Sequence, residues 1–588
     1  MATGPTGFIS PNGGLTGIYG GARWANEWAT YYNFPTFSGP RGPTGPTIGV
    51  AGGYGSFSQQ DLNRVFNIVY NNTGSTGIVP GGITPPQVVG IRVGTWGGGY
   101  TGPTGPAAYD PNLLPGETRG EQNLDTQIVA LSCPYSNIYF FQTGIDGGIG
   151  DYYYSIKEAK DLGCCAFTSS STGFETEIIG GQRKFFSTQF YDEHEILFQE
   201  CINAGMTVCF CTGDFGCFSP LYNRDTGIET NSDFQVAWPA CSQYVTAVGG
   251  SNPRTSPESA WEGSGGGQAY FTLRPSYQTN ITFNTDGNNP VVPSTNPVYP
   301  TIGSNPPYLT NITRYIPDVA FSAEDYRFVD TSFFPGFLIG GGTSASTPLL
   351  AGLIGNIYGV SQPGSIAKNG YAPYGFNHYL YNAPSNCFFD FTTGGNNTLG
   401  NPGATGTTTS TVTRALQGYD LSTGLGAING TQFQTFVDTL TCVPGSTKIL
   451  LPDLTYKEIK YLKKGDYVVS SIEEKLIYKV SRVIKQLITP QAIINVVIFP
   501  KDYFEKNIPR DRLIITNIHV IKYKDKEEEC QYFKNYEKII AKDILDDEEG
   551  FYYLYDIQFE YESCYIAEGL ILKSRSPKCP LVRNSRFT

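Results

Sequence analysis

The sequence predicts an α/β domain followed by a smaller all-β domain, and a sharp change in composition separates them. Of the 70 glycines, 66 precede Cys442 and 4 lie after it. Residues 1–441 carry 16 Lys+Arg and 30 Asp+Glu, whereas residues 442–588 carry 24 and 22, so the net charges are −14 and +2. We therefore expect a Gly/Pro-rich tail over residues 1–16, one domain over 17–441 and another over 442–588.

Apolar segments of strand length alternate with segments of helix length in the first domain. The pattern predicts strands over Thr47–Val50, Val88–Val93, Cys165–Ser169 and Thr207–Cys211, and helices over Phe57–Tyr70, Gln122–Ser132 and Tyr191–Ala204. Strands that alternate with helices predict a mostly parallel sheet with helices on both faces. After Cys442 the pattern changes to many short runs of Val, Ile, Tyr and Phe, which predicts an all-β domain.

Composition excludes several classes of partner. The net charge is −12 and the pI is about 4.9, and a nucleic-acid-binding surface would normally be basic. No apolar run approaches the length of a transmembrane helix. The start MATGPTGFISP has neither the basic nor the apolar region of a secretory signal. We expect a monomer with a polypeptide substrate, and the compartment stays open.

The sharpest chemical motif is Gly-Gly-Thr-Ser at residues 341–344, which opens into an apolar run. A serine in such a turn sits at a helix N-terminus, where main-chain N–H groups and the helix dipole favour developing negative charge. Ser344 is therefore a candidate nucleophile. Serine is also a common N-cap, so the motif alone could be structural.

A serine nucleophile needs a base, and carboxylates are the better candidates in this chain. The three histidines, at positions 194, 378 and 519, have no recognisable Ser-His-Asp context. Glu121 and Asp125 are four residues apart on a predicted helix, so both lie on one face. Paired carboxylates can separate their pKa values into an ionised base and an orienting partner. The alternative is an ordinary solvated helix face.

Asp214 is a third candidate, because it follows the apolar strand predicted over Thr207–Cys211. A carboxyl group that is neutral in acid can donate a hydrogen bond to an oxyanion, as Asn does in enzymes that work at neutral pH. The structural alternative is a turn aspartate between glycines.

These three motifs resemble those of the sedolisins, acid serine-carboxyl peptidases with a subtilisin-like fold. The resemblance covers roughly residues 17–441 and includes Tyr244–Gly250, Gly265–Gly267, Arg274–Gln278 and Pro317–Ala320. It implies that Ser344 is the nucleophile, Glu121 the general base and acid, Asp125 its partner and Asp214 the oxyanion-hole acid. Thr172 stands where the family often has Trp, which leaves the substrate contacts open.

The same resemblance implies one calcium ion. Asp390 matches the first carboxylate of the family's site, and Leu416–Asp420 matches its second half. The implied ligands are Asp390, Asp420 and the carbonyl oxygens of Phe391, Leu416 and Gly418, a set of oxygens that suits Ca²⁺.

Residues 442–588 resemble a Hint domain, the self-cleaving β fold of inteins and hedgehog proteins. Cys442 opens the segment, and Thr516-Asn517-Ile518-His519 matches the T-x-x-H motif. The resemblance implies that Cys442 attacks the carbonyl of Thr441 while Thr516 and His519 polarise that peptide bond and protonate its leaving nitrogen. The C-terminal His-Asn of inteins is absent, so cleavage is expected and splicing is not.

Three interpretations follow from the sequence. The first is an acid-acting serine-type endopeptidase whose Hint domain cleaves at Thr441–Cys442. The second is a catalytically silent structural or surface protein on the same scaffold. The third is a protein whose main activity is Hint autoprocessing. The complete set of Glu121, Asp125, Asp214 and Ser344 favours the first.

Overall fold

The computed structural model of the chain forms two compact units. The first comprises residues 1–360, 374–381 and 385–431, and the second comprises residues 361–373, 382–384 and 432–588. The structure describes residues 22–39, 41–42, 45–53, 55–71, 83–93, 117–143, 152–180, 182–185, 188–217, 221–223, 225–226, 228–230, 236–278, 281, 313–332, 334, 336–360, 375–396, 414–438, 443–472, 475–488, 493–516, 519–524, 526–529, 533–534, 537–540, 543, 545, 547–548, 551–559 and 564–573.

Helices and strands alternate along much of the chain before residue 442. The α-helices are α1 Ala25–Tyr31, α2 Gln59–Phe66, α3 Glu117–Ser132, α4 Tyr152–Asp161, α5 Thr188–Ala204, α6 Thr343–Val360, α7 Gly375–Asn382 and α8 Gly430–Asp438. The strands are β1 Thr47–Gly53, β2 Val89–Arg92, β3 Asn137–Gln142, β4 Ala166–Ser169, β5 Gly173–Phe174, β6 Thr176–Ile179, β7 Gln182–Phe185, β8 Thr207–Cys211, β9 Leu221–Asn223, β10 Ile228–Thr230, β11 Ala237–Trp238, β12 Thr246–Asn252, β13 Ser259–Ala260, β14 Gly267–Leu273, β15 Thr313–Ile316, β16 Val319–Ser322, β17 Tyr326–Phe328, β18 Leu338–Gly340, β19 Phe388–Phe389 and β20 Ala427–Ile428.

The central sheet of the first unit has the order β13-β12-β8-β4-β1-β3-β2, with β16 also paired to β12. Only the β12–β13 pair in this sheet is antiparallel, as far as the described residues show. Helices α3 and α6 pack against each other and on the sheet, and α4 and α5 form a second such pair. The predicted α/β class, a mostly parallel sheet with helices on both faces, is confirmed.

The predicted elements exist, and several have different ends. The helix predicted from Phe57 begins at Gln59, because the Ser58 hydroxyl caps it by accepting a hydrogen bond from the Asp61 N–H at 3.1 Å. Its last predicted turn, Asn67–Asn71, is π-helical. Helix α3 begins five residues before its predicted start, at Glu117. Such ends are set by caps and packing more than by apolar periodicity.

A buried ion pair joins the end of β15 to the start of β16. The guanidinium of Arg314 donates to the Asp318 carboxylate at 2.5 Å, and neither side chain is exposed. Asp318 also accepts from the Ala247 N–H at 2.7 Å and from the Tyr381 hydroxyl at 2.8 Å. These donors hold β12, β16 and α7 together. Burial raises the pKa of Asp318, and the charge of Arg314 opposes that rise.

The second unit is built from antiparallel strands, as the sequence predicts. They are β21 Val443–Pro444, β22 Lys448–Leu450, β23 Tyr456–Glu458, β24 Tyr467–Ser471, β25 Leu476–Lys479, β26 Arg482–Ile488, β27 Ile493–Phe499, β28 Leu513–Thr516, β29 Val520–Tyr523, β30 Lys526–Glu529, β31 Glu537–Ile540, β32 Asp547–Glu548, β33 Phe551–Gln558, β34 Cys564–Ala567 and β35 Leu570–Lys573. The largest sheet has the order β23-β22-β34-β35-β29-β30. A separate apolar core, with Val443, Ile515 and Tyr565 among its members, lies between the strands. Across the described parts of both units, no helix has the length and apolar character needed to cross a bilayer.

We expect Asp318→Asn to lower the free energy of unfolding by about 3–5 kcal/mol, because it leaves the buried Arg314 charge without its partner. Urea unfolding measures this. The control is Lys157→Ala, which breaks an i,i+4 pair whose two side chains are 49% and 47% exposed and should change stability by less than about 0.5 kcal/mol. Similar costs for the two variants would contradict a structural role for the buried pair.

Candidate active site

Ser344 lies in the first turn of α6, on a segment fixed from both sides. The turn before it has Gly342 at φ +89°, a conformation that favours glycine. Behind it, the Ser346 hydroxyl donates towards the carbonyl oxygens of Phe321 and Ser322, at 3.0 and 2.9 Å, which attaches the helix start to β16. Ser344 is buried, as are all its neighbours up to Ile357. The nucleophile candidate therefore sits on a rigid support.

Asp214 touches this helix start directly. Its Oδ1 accepts from the Thr343 N–H and from the Thr343 hydroxyl, both at 2.8 Å. Its Oδ2 lies so close to Gly342 that a Cβ there would be 2.4 Å away. Burial raises the pKa of Asp214, and the two bonds from Thr343 oppose the rise. The neutral acid that an oxyanion donor requires is thus favoured over a wider pH range than for an exposed aspartate.

Glycine also permits the Asp214 turn to approach the rest of the fold. Gly265 packs so tightly against this turn that a Cβ on it would lie 1.9 Å from the Thr212 carbonyl oxygen. The Gly265 N–H donates to the Gly213 carbonyl at 2.9 Å. Gly265, the first of three consecutive glycines up to Gly267, is therefore required by the close packing beside the Asp214 turn.

Glu121 and Asp125 lie one turn apart on α3, the helix that packs on α6. Burial raises the pKa of Glu121, a hydrogen bond with the Ser344 hydroxyl lowers it, and the charge of Asp214 raises it. Its Oε1 is buried without a hydrogen-bond partner. A half-buried carboxyl group beside the serine hydroxyl is placed to take the hydroxyl proton.

Asp125 is almost fully buried, and its Oδ1 lies at hydrogen-bond distance, 2.9 Å, from the Ser170 hydroxyl. Burial and the charge of Glu121 raise the pKa of Asp125 well above its usual range, whereas the Ser170 bond lowers it. Two carboxyl groups so close together favour a state in which they share one proton.

The structure thus gathers Glu121, Asp125, Asp214 and Ser344 around the start of α6. Their chemical roles stay predictions. Two residues that the sequence did not single out also belong to this cluster. Thr343 lies inside the Gly-Gly-Thr-Ser motif and could have been noticed, but Ser170 lies in a run of serines with no distinguishing signal.

Histidine takes no part in this cluster. His194 is buried and stacks edge-on against Trp238 with ring centroids 5.1 Å apart, within the apolar core next to Phe198. It is a core residue of α5, which agrees with the choice of a carboxylate base.

Asp390 lies next to the chain segment that carries Asp420, the second carboxylate of the predicted calcium site. Asp390 accepts from the Gly418 N–H at 2.8 Å, and Asp420 accepts from the Ser422 and Thr423 N–H groups at 2.8 and 2.9 Å. Burial raises the pKa of Asp390, and it raises the pKa of Asp420 to about 7. Burial disfavours the ionised form of both carboxyl groups when no cation is present. Their oxygen atoms form a donor set that fits a hard cation.

No location in the described part of the chain gathers three or more His, Cys, Asp or Glu side chains suited to a metal. A cation at Asp390 and Asp420 would therefore depend on main-chain oxygens as well. The carbonyl groups of Phe391, Leu416 and Gly418 lie on the same two chain segments as the carboxylates.

In the second unit, Thr516 ends β28, and His519 lies three residues later in the sequence. Both residues are buried, and the His519 N–H donates to the Thr516 carbonyl at 3.0 Å. The His519 Nε2 lies 3.2 Å from the Lys573 carbonyl oxygen, which can only accept, so Nε2 carries a proton. Cys442 and Thr441 lie outside the described residues. The first described residue after them, Val443, pairs with Tyr555.

Comparison with known proteins bears on the first unit's chemistry. No family model matches the chain. It is 27% identical over 363 residues to kumamolisin from Bacillus sp. (strain MN-32), which covers 59% of this chain and 54% of kumamolisin. It is 29% identical over 222 residues to tripeptidyl-peptidase 1 from Canis lupus familiaris, covering 37% of this chain and 35% of that protein. The chain is therefore similar in sequence to these two proteins.

The chain spans about half the length of kumamolisin and about a third of tripeptidyl-peptidase 1. A solved structure of Pseudomonas sedolisin, described as a serine-carboxyl proteinase, aligns with a TM-score of 0.46 and 18% identity over 71% of this chain and 98% of that chain. The α/β class of the first unit rests on the sheet topology described above.

We expect Gly342→Ala to destabilise the protein more than Gly163→Ala does. Both glycines have positive φ, +89° and +74°, so both variants carry the strain of a left-handed backbone, about 1–2 kcal/mol. A Cβ at Gly342 would also collide with Asp214, whereas one at Gly163 would meet no atom within 4 Å. Urea unfolding should show an extra cost of at least about 1 kcal/mol for Gly342→Ala. Equal costs would contradict the close approach of Asp214.

Proposed function

We propose that this chain is an acid-acting serine-type endopeptidase. The observation that supports it best is the meeting of three carboxyl groups from α3 and the β8 turn at Ser344. In the proposed reaction, the Ser344 Oγ attacks a peptide carbonyl carbon and Glu121 accepts the hydroxyl proton. The C–N bond then breaks, Glu121 returns the proton to the leaving amine, and water hydrolyses the acyl-enzyme.

Asp125 and Asp214 have different proposed tasks. Asp125 holds a proton next to Glu121 and orients it, so that Glu121 can ionise while its neighbour stays neutral. Asp214, in its protonated form, donates to the oxyanion of the tetrahedral intermediate. The position of Asp214 against the N-terminus of α6 supports this role. The helix dipole there also favours the negative charge of the tetrahedral intermediate.

We expect a bell-shaped dependence of kcat/KM on pH, measured from about pH 3 to about pH 8 with a quenched peptide library. Activity should rise as the coupled Glu121 and Asp125 pair loses the first of its two protons and should fall as Asp214 loses its own. The two limbs of kcat/KM report the apparent pKa values of these groups in the free enzyme. Ser344→Ala should abolish cleavage. In Asp214→Asn, the amide remains a donor at every pH and still accepts from Thr343, so the alkaline limb should disappear.

An unchanged alkaline limb in Asp214→Asn would show that Asp214 is not the oxyanion donor. Cleavage that persists in Ser344→Ala would show that Ser344 is not the nucleophile. No cleavage by a folded, calcium-loaded sample would favour the catalytically silent scaffold. Library members with a blocked amino terminus separate an endopeptidase from an enzyme that releases tripeptides, because an exopeptidase of that kind needs a free terminus.

We further propose that one Ca²⁺ binds at Asp390 and Asp420, with carbonyl oxygens of Phe391, Leu416 and Gly418. The ion would supply the positive charge that the two carboxylates lack. Its proposed role is structural, because Asp390 directly follows β19, Asp420 precedes β20, and these two strands pair with each other.

We expect calcium to stabilise the protein most near neutral pH. Without a cation, the folded-state pKa of Asp420 is about 7, above its ordinary value of ~4, so folding stability falls as pH rises through this interval. A bound cation favours the ionised form and restores that stability. Thermal unfolding should show a larger difference between samples with calcium and samples with chelator near pH 7 than near pH 4. At a free calcium concentration of 100 Kd, the stabilisation near pH 7 should be about 2.7 kcal/mol. Asp420→Asn should lose the response, and a response kept by that variant would exclude this site.

A second activity, autoprocessing, is proposed for residues 442–588. The Cys442 Sγ would attack the Thr441 carbonyl carbon, the C–N bond would break, and His519 would protonate the released amino group. The resulting thioester then passes to water or an added nucleophile. The contact between the His519 Nε2 and the Lys573 carbonyl oxygen supports the proposal, because it fixes the orientation of the histidine ring.

We expect hydroxylamine to release a fragment ending at Thr441, detected by mass spectrometry of the intact chain. Cys442→Ala should abolish the release because no thioester can form. His519→Ala should slow it, since the leaving nitrogen loses its acid. A wild-type chain that stays intact, with a free Cys442 thiol, would contradict autoprocessing.

A further inference from the structure

Ser170 lies where three elements of the catalytic cluster meet. It follows the last residue of β4 and its hydroxyl is 2.9 Å from the Asp125 carboxyl on α3. The same oxygen is 3.0 Å from the main-chain carbonyl oxygen of Ser344 on α6. One hydroxyl group therefore touches both the partner of the proposed base and the backbone of the proposed nucleophile.

The Ser344 carbonyl has a particular need for such a donor. In an α-helix, each carbonyl accepts from the N–H four residues later. For Ser344 that residue is Pro348, which lies inside α6 and has no N–H. The Ser170 hydroxyl lies at hydrogen-bond distance from this carbonyl. A buried carbonyl left without a donor would cost free energy.

A hydroxyl has one proton, so Ser170 cannot donate to both oxygens at once. If Asp125 is protonated, it can donate to Ser170, and Ser170 can donate to the Ser344 carbonyl, which leaves every group in the chain bonded. If Asp125 is ionised, it accepts the hydrogen bond of the Ser170 hydroxyl, and the Ser344 carbonyl loses that donor. Burial and the charge of Glu121 favour the protonated Asp125 and hence the complete chain.

We propose that Ser170 is a positioning residue that couples Asp125 to the backbone of Ser344 by replacing the N–H that Pro348 lacks. The proposal rests on the proposed peptidase function for its catalytic consequence. Ser170 itself touches no reacting atom in this scheme. It holds the first turn of α6 so that the Ser344 hydroxyl faces Glu121.

The first test is the steady-state kinetics of Ser170→Ala. We expect kcat to fall about tenfold or more, with KM within about twofold, because a misplaced nucleophile weakens the transition state and leaves peptide binding unchanged. Ser170→Thr keeps the hydroxyl and should restore most of kcat. Ser136→Ala is the matched control, since Ser136 is another buried serine that donates to a carbonyl, that of Cys133 at 2.8 Å. It should leave kcat unchanged.

The second test is a double-mutant cycle of urea unfolding that needs no activity. Pro348→Ala provides an N–H for the Ser344 carbonyl, so Ser170→Ala should cost less stability in that background than in the wild type. If the wild type cleaves no member of the peptide library, the proposed peptidase function is wrong. The double-mutant cycle would still test whether Ser170 donates a hydrogen bond to the Ser344 carbonyl. Equal costs in the two backgrounds, or an unchanged kcat in Ser170→Ala, would overturn the proposal.

Discussion

The close approach of Asp214 to the first turn of α6 is the constraint on which the candidate active site depends. It brings a turn after β8 against the residues just before the serine, and it is possible only because Gly342 has no side chain. The two hydrogen bonds from Thr343 then fix the carboxyl group against the helix N-terminus. Without this contact, the serine would remain an ordinary helix-start residue.

Burial gives three carboxyl groups the raised pKa values that their proposed roles require. Taking Glu121, Asp125 and Asp214 out of water raises the pKa of each, and each then responds to its own partner. Asp318 is also buried but is bonded to Arg314, so it has a full countercharge. Under the proposed function, the same residue type serves structure where a cation faces it and chemistry where a hydroxyl group does.

The two units differ in how far apart in sequence their candidate site residues lie. In the first, residues from α3, the β4 end, the β8 turn and α6 converge on one location. In the second, Thr516 and His519 are close in sequence, and the main-chain hydrogen bond between them follows from that closeness. A local motif of this kind needs little help from the fold, whereas a convergent site needs the whole sheet to be correct.

The sequence by itself determined the class of each unit, the composition boundary and the residue types able to act, because periodicity and short motifs are local properties. It also placed Glu121 and Asp125 on one helix face, since four-residue spacing is enough for that. Only the tertiary structure decided that Asp214 meets Thr343 across 129 residues and that Ser170 meets Ser344 across 174. Helix ends, raised pKa values and the need for a substitute donor at Pro348 likewise depend on burial and contact, which arise only when distant segments pack together.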